Sequence, residues 1–175
     1  MILEIDGKYL KSSYSVYVIE LIAPDGNYYY IGQTGDKVYN SARSPFRRFS
    51  GHLVDINSST QNQLYRFVSK LALKKEINRS VNLTPIEKGL IEEYITKCMI
   101  NFYSYPLFDF DFNQSMTIHK QNHKNIVLAE NKVIQLFEKM KMNLININRS
   151  TRQFTGNDFD ELLTEIKNDF NLKHI

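Results

Sequence analysis

Ser15-Val16-Tyr17-Val18-Ile19-Glu20-Leu21-Ile22-Ala23-Pro24-Asp25-Gly26-Asn27-Tyr28-Tyr29-Tyr30-Ile31-Gly32-Gln33 is the stretch on which the fold turns. Ser15 to Ile22 alternates β-branched and aromatic residues and reads as a strand. Ala23-Pro24-Asp25-Gly26 is a turn signal, and Asn27 to Gln33 reads as the hairpin partner. With those four residues as the loop, Ile22 pairs with Asn27, Ile19 faces Tyr30 and Tyr17 faces Gly32. Tyr17 and Tyr30 are then diagonal neighbours on one face, roughly 7–8 Å apart between Cα atoms. A glycine opposite Tyr17 leaves room for a ligand or another backbone to approach the phenol. Tyrosine is also a favoured strand residue, so the plain reading is that both rings only pack.

Outward from the hairpin the chain turns helical. Ser44-Pro45 opens a short helix, serine capping and proline tolerated at the first position. Leu64, Phe67, Val68 and Leu71 mark an amphipathic helix near Gln61 to Ile77. Thr84-Pro85-Ile86-Glu87 has the form of a capping box, opening a helix with Ile86, Leu90, Ile91, Tyr94 and Ile95 along its apolar stripe. The aromatic segment Met99 to Phe112 contains a strand whose length Pro106 should limit. Asn125 to Lys141 is a third clear helix, and Asn143 to Asn148 reads as a terminal strand or an extended exit. Asn157 to Phe170 forms a last helix with Phe159, Leu162, Leu163, Ile166 and Phe170 inward. These elements predict an α+β fold: a small, mainly antiparallel sheet of the hairpin and a third strand, flanked by helices.

Length and composition bound the rest. The 175 residues suit one well-buried core, and neither a repeat nor a Pro/Gly-rich linker divides them, so a single domain over 1–175 is expected. Hydrophobic content of 42%, charged content of 23% and a net charge of +3 are ordinary, with only a mild bias toward a polyanionic partner. A single cysteine, Cys98, excludes an intramolecular disulfide and a multi-cysteine zinc site. No apolar run approaches the roughly 18 residues of a membrane span, and the N-terminus lacks signal-peptide features. The expectation is a cytoplasmic protein with no membrane partner.

Several residues could carry chemistry. Arg48 and His52, at i and i+4, share one helical face beside the stripe of Phe46, Phe49 and Leu53. An arginine there can grip a phosphate through paired N–H donors, and a histidine can take a proton from a tyrosine or a water. The plain alternative is a solvated basic turn, with Arg43 and Arg47 as flanking charges. Glu130 is sharper: it lies amid the apolar stripe of Ile126, Val127, Val133, Ile134 and Phe137. A carboxylate centred there is costly unless paired, protonated or bound to a cation, and Mg²⁺ suits one carboxylate plus waters and phosphate oxygens. A glutamate whose head bends out to water is the competing reading. Glu87 is explained by the capping box, and Glu92 and Glu93 by a solvated face. His119 and His123 lack a third ligand and read as loop or helix surface, Cys98 as a core thiol. Lys70, Lys74, Lys75 and Arg79 form a basic stretch that either touches phosphates or is merely solvated.

Taken together, Ser15-Val16-Tyr17, Tyr30-Ile31-Gly32 with Gln33-Thr34, then Arg48, His52 and Glu130 resemble the GIY-YIG endonuclease superfamily in order and context. The resemblance covers residues 15 to 148; the first 14 residues and the last helix lie outside it, and helices between 55 and 97 exceed the minimal fold. Serine stands for the first glycine of the motif. The longer stretch from Gly32 to Arg48 leaves Arg47 as a rival arginine. The family asparagine falls on Asn146, or on Asn148. The resemblance implies a DNA endonuclease, restriction-enzyme-like or stand-alone, with Tyr17, Tyr30, Arg48, His52, Glu130 and Asn146 at the site. It implies one Mg²⁺ or Mn²⁺ held by Glu130, with Tyr17 and His52 activating water. A catalytically inactive nucleic-acid-binding module on the same scaffold is the alternative. DNA specificity and the choice between monomer and homodimer stay open.

Overall fold

The computed structural model describes residues 4–54, 60, 62–146 and 159–172. Strand β1 (Ser13–Ala23) is central, with β2 (Gly26–Gln33) and β3 (Met99–Asp109) antiparallel on either side, so the order is β2-β1-β3. The α+β class follows. The hairpin register is the one expected, with Tyr17 opposite Gly32, Ile19 opposite Tyr30 and Ile22 opposite Asn27. The loop is tighter than expected: Ala23 pairs with Gly26, leaving only Pro24 and Asp25 between the strands. Gly26 absorbs the bend with φ 145°, a value that L side chains rarely adopt.

Pro106 does not shorten β3, which runs on to Asp109. It sits opposite Ser15, where the pairing slips at Tyr14/Ser15 into a β-bulge, and β3 is an edge strand. Both circumstances remove the need for the N–H that proline lacks.

Because β1 is central, its side chains are buried on both faces. Tyr14, Val16 and Val18 pack with Tyr29 and Ile31 against α4 (Met116–Lys139) and α5 (Asp160–Asp169), through Ile126, Ala129, Val133, Phe137, Leu162 and Ile166. Tyr17, Ile19 and Leu21 face the other way, against Leu64, Tyr65 and Val68 of α2 (Gln63–Leu73) and Ile91 of α3 (Pro85–Ile95). Helix α1 (Pro45–Val54) joins this second layer by stacking Phe49 on Phe102, centroids 4.6 Å apart.

Local signals explain most helix ends. Asn62 caps α2 by accepting from Leu64 and Tyr65 N–H, and the helix stops at Leu73, short of the expected Ile77, because Lys74 turns left-handed. The Thr84/Glu87 capping box forms at α3. The stripe expected there is only partly buried: Ile91 is, whereas Ile86 and Leu90 are exposed, since the sheet is covered on that side by α2. Helix α4 begins at Met116 instead of Asn125, capped by Ser115. His119 and His123 therefore lie on it, and His119 is buried rather than on the surface. Residues 143–146 run parallel to the outer edge of β2, with Tyr29 N–H donating to Asn143 O and Ile145 N–H to Tyr29 O. No described helix is long and apolar enough to cross a membrane.

Candidate active site

Tyr17 stands at the middle of β1 and is wholly buried. Its ring passes over Gly32 on the neighbouring strand, where a Cβ would lie 2.3 Å from the phenol oxygen. Only glycine permits that crossing. The hydroxyl ends 3.0 Å from His52 Nε2. Helix α1 delivers that imidazole and is fastened at both ends: Ser44 Oγ accepts from Arg47 N–H at the start, and Asn62 Nδ2 donates to His52 O at the finish. Tyr30, diagonal to Tyr17, completes the group, its ring 6.3 Å from that of Tyr17 and 5.0 Å from the imidazole.

Electrostatics ties Arg48 and Glu130 to the same phenols. Burial pushes the Tyr17 hydroxyl far up, helped by the Tyr30 and Glu130 charges and opposed by the Arg48 guanidinium. Tyr30 is raised by burial and by Glu130, again against Arg48. Neither phenol is a phenolate at neutral pH. Glu130 projects from α4, the helix on the opposite sheet face, yet its charge acts on both rings. Burial pushes its carboxyl up to about 7, while Arg48 pulls it down. No ion pair joins Arg48 and Glu130 among the described residues. Arg48 Nε is buried without a hydrogen-bond partner. Arg47, by contrast, is exposed.

A desolvated carboxylate and an orphaned guanidinium N–H facing two phenols are open valences of opposite sign. They fit a cation and a phosphate oxygen, which would discharge both penalties. Among the described residues no group of three or more His, Cys, Asp or Glu side chains could hold a metal ion. Glu130 is the described carboxylate that could hold a single hard divalent ion completed by waters and phosphate oxygens.

Asn146 takes part differently. Its Oδ1 accepts from Ile31 N–H at 2.9 Å and its Nδ2 donates to Ile31 O at 2.7 Å. The amide thus continues the ladder begun by residues 143–145 and holds the backbone between Tyr30 and Gly32. This makes it a positioning residue. Asn148, the other candidate, lies outside the described residues. Of the basic stretch, Lys70 pairs with Glu76 and Lys75 with Glu87, which suits a solvated face. Cys98 is half-buried and donates to Tyr94 O.

Sequence reasoning missed two contributors. Asn62 was hidden in the approach to α2, although an asparagine before an apolar periodic run is a recognisable cap signal. The Tyr14–His119 contact, 2.6 Å between Oη and Nδ1, spans 105 positions and left no local trace. No family model matches the chain, and no curated protein or solved structure does either.

Proposed function

We propose that the protein is a metal-dependent DNA endonuclease of the GIY-YIG type. The observation that carries this reading is the Tyr17 hydroxyl, buried over Gly32, bonded to His52 Nε2 and coupled to both Arg48 and Glu130. A packing tyrosine needs none of these neighbours.

With His52 neutral, the Tyr17 O–H donates to Nε2. A water against Tyr17 Oη passes its proton to the phenol as the phenol passes its own to His52, so no phenolate has to accumulate. The water oxygen attacks phosphorus in line, the bond from phosphorus to the 3′ oxygen breaks, and that oxygen takes a proton from solvent. Arg48 meets the charge on the non-bridging oxygens with its guanidinium, whose buried Nε–H has no hydrogen-bond partner. A divalent ion on Glu130, when bound, would neutralise phosphate and leaving-group charge. Tyr30 fills the space beside the phenol and imidazole and keeps the relay away from bulk water. Asn146 keeps β2 in register beneath them.

Supercoiled plasmid incubated with Mg²⁺ or Mn²⁺ tests the reading. Nicking by the wild type and its loss in Glu130→Ala are expected. Binding without nicking, across several DNAs and both metals, would instead identify a silent nucleic-acid-binding module.

A further inference from the structure

Residues 35–42, between β2 and α1, are ordered to a degree their surroundings do not require. Gly35 and Ala42 form an antiparallel bridge, Asp36 N–H donates to Ser41 O at 3.0 Å, and Ser41 N–H to Tyr39 O at 2.7 Å. The Asp36 carboxylate accepts from Val38 and Tyr39 N–H, at 2.8 and 3.0 Å.

From below, a buried donor chain holds the loop. Gln114 Nε2 donates to Tyr14 Oη at 2.6 Å, Tyr14 to His119 Nδ1 at 2.6 Å, and His119 Nε2 to Asp36 O at 2.9 Å. A carbonyl can only accept, so His119 Nε2 carries a hydrogen. Asn40 Nδ2 also donates to Gln114 O at 2.7 Å.

All this order presents an uncovered tip. Val38 and Tyr39 are 68% and 71% exposed. An aliphatic and an aromatic side chain fixed side by side in water gain nothing in the free protein. Lys37, Arg43 and Arg47 of this stretch and the start of α1 are exposed, while Asp36 Oδ1 accepts from two backbone N–H groups. Exposed apolar side chains accompanied in sequence by cations are complementary to bases between phosphates. The position is also informative. His119, which grips the loop, is eleven residues before Glu130 on α4, about 16 Å along the helix.

We propose that residues 35–42 are a preorganised wedge for nucleic acid, Val38 and Tyr39 seating against bases away from the scissile linkage while Lys37, Arg43 and Arg47 take neighbouring phosphates. The wedge rests on the nuclease reading for its ligand and adds a second contact outside the reaction centre.

The test uses the full chain carrying Glu130→Ala, which binds without cutting, and duplexes with 2-aminopurine moved one step at a time. A fluorescence rise at one or two adjacent steps is expected. Tyr39→Ala should abolish it and weaken affinity about tenfold or more, the scale of one lost base stack. Tyr39→Phe should restore both, and the melting temperature should not move, because the side chain is largely exposed. Lys37→Ala should lower the salt-dependence slope by about 0.9. Unchanged affinity and fluorescence in Tyr39→Ala, with wild type still nicking, would overturn the wedge alone. Binding that depends on Tyr39 in a protein that never nicks would uphold the wedge and overturn the nuclease. Wild type that neither nicks nor binds DNA overturns both.

Discussion

The phenol oxygen of Tyr17 occupies the space that a side chain on Gly32 would need, 2.3 Å from the Cβ position. A hydroxyl at the centre of a sheet thereby reaches across the neighbouring strand to His52. The absence of a side chain on β2 is what turns a core tyrosine into a candidate proton relay.

Gly32→Ala should therefore displace the Tyr17 ring and break its bond to His52. Overpacking of this kind costs about 1–3 kcal/mol. Plasmid nicking should fall at least a hundredfold while circular dichroism still reports a folded protein. A fully active alanine variant would mean that the phenol is not used where it lies.

The relay makes a paired prediction. Tyr17→Phe and His52→Ala should each lower kcat by about 10²–10⁴-fold, the usual worth of positioned proton transfer, with little change in DNA affinity. The double variant should be no worse than the poorer single, because both serve one concerted relay. Additive losses, measured by single-turnover cleavage, would separate the two groups.

Glu130 links stability to pH in the metal-free protein. Its carboxyl ionises near 4.5 when unfolded and at about 7 when folded, so between these values the native state binds more protons. Stability is fully present below pH 4.5 and falls as pH rises toward 7, by on the order of 3 kcal/mol. Glu130→Gln should flatten this slope and melt higher than wild type above pH 7 in EDTA. Mg²⁺ should raise the wild-type melting temperature most at pH 7 and above, and leave the glutamine variant unmoved.

Asn146→Ala removes both hydrogen bonds to Ile31 and strands its N–H and carbonyl at a part-buried edge. A cost of about 1–3 kcal/mol is expected in denaturant melts. Asn146→Asp keeps an acceptor for the Ile31 N–H but sets a carboxylate against the Ile31 carbonyl, and should recover only part of it. Amide exchange at Ile31 should accelerate in both.

Arg48→Lys should not rescue Arg48→Ala. A lysine keeps the charge but lacks the Nε–H, the buried donor that has no protein partner, and the planar fork that grips two phosphate oxygens. The lysine variant should retain DNA affinity yet cleave at least tenfold more slowly, as read from burst and steady-state rates.

Much of the framework was legible from residue order alone. The alternation of Ser15 to Ile22, the Ala23-Pro24-Asp25-Gly26 turn signal and Gly32 point to a hairpin, and a period of two then leaves one register that puts Tyr17 over glycine. The Thr84 box and the Ser44-Pro45 start are equally local, because caps satisfy N–H groups within three residues. Arg48 and His52 could be placed on one face for the same reason. Only tertiary packing decided what stands across from them. The Glu130 charge acts on the phenols from a helix on the far side of the sheet, Asn146 substitutes its amide for a strand, Arg48 turns inward where Arg47 does not, and His119 disappears beneath a loop 83 residues away. Burial and charge coupling depend on which elements close over a side chain. Periodicity describes one element at a time and carries no information about its neighbour.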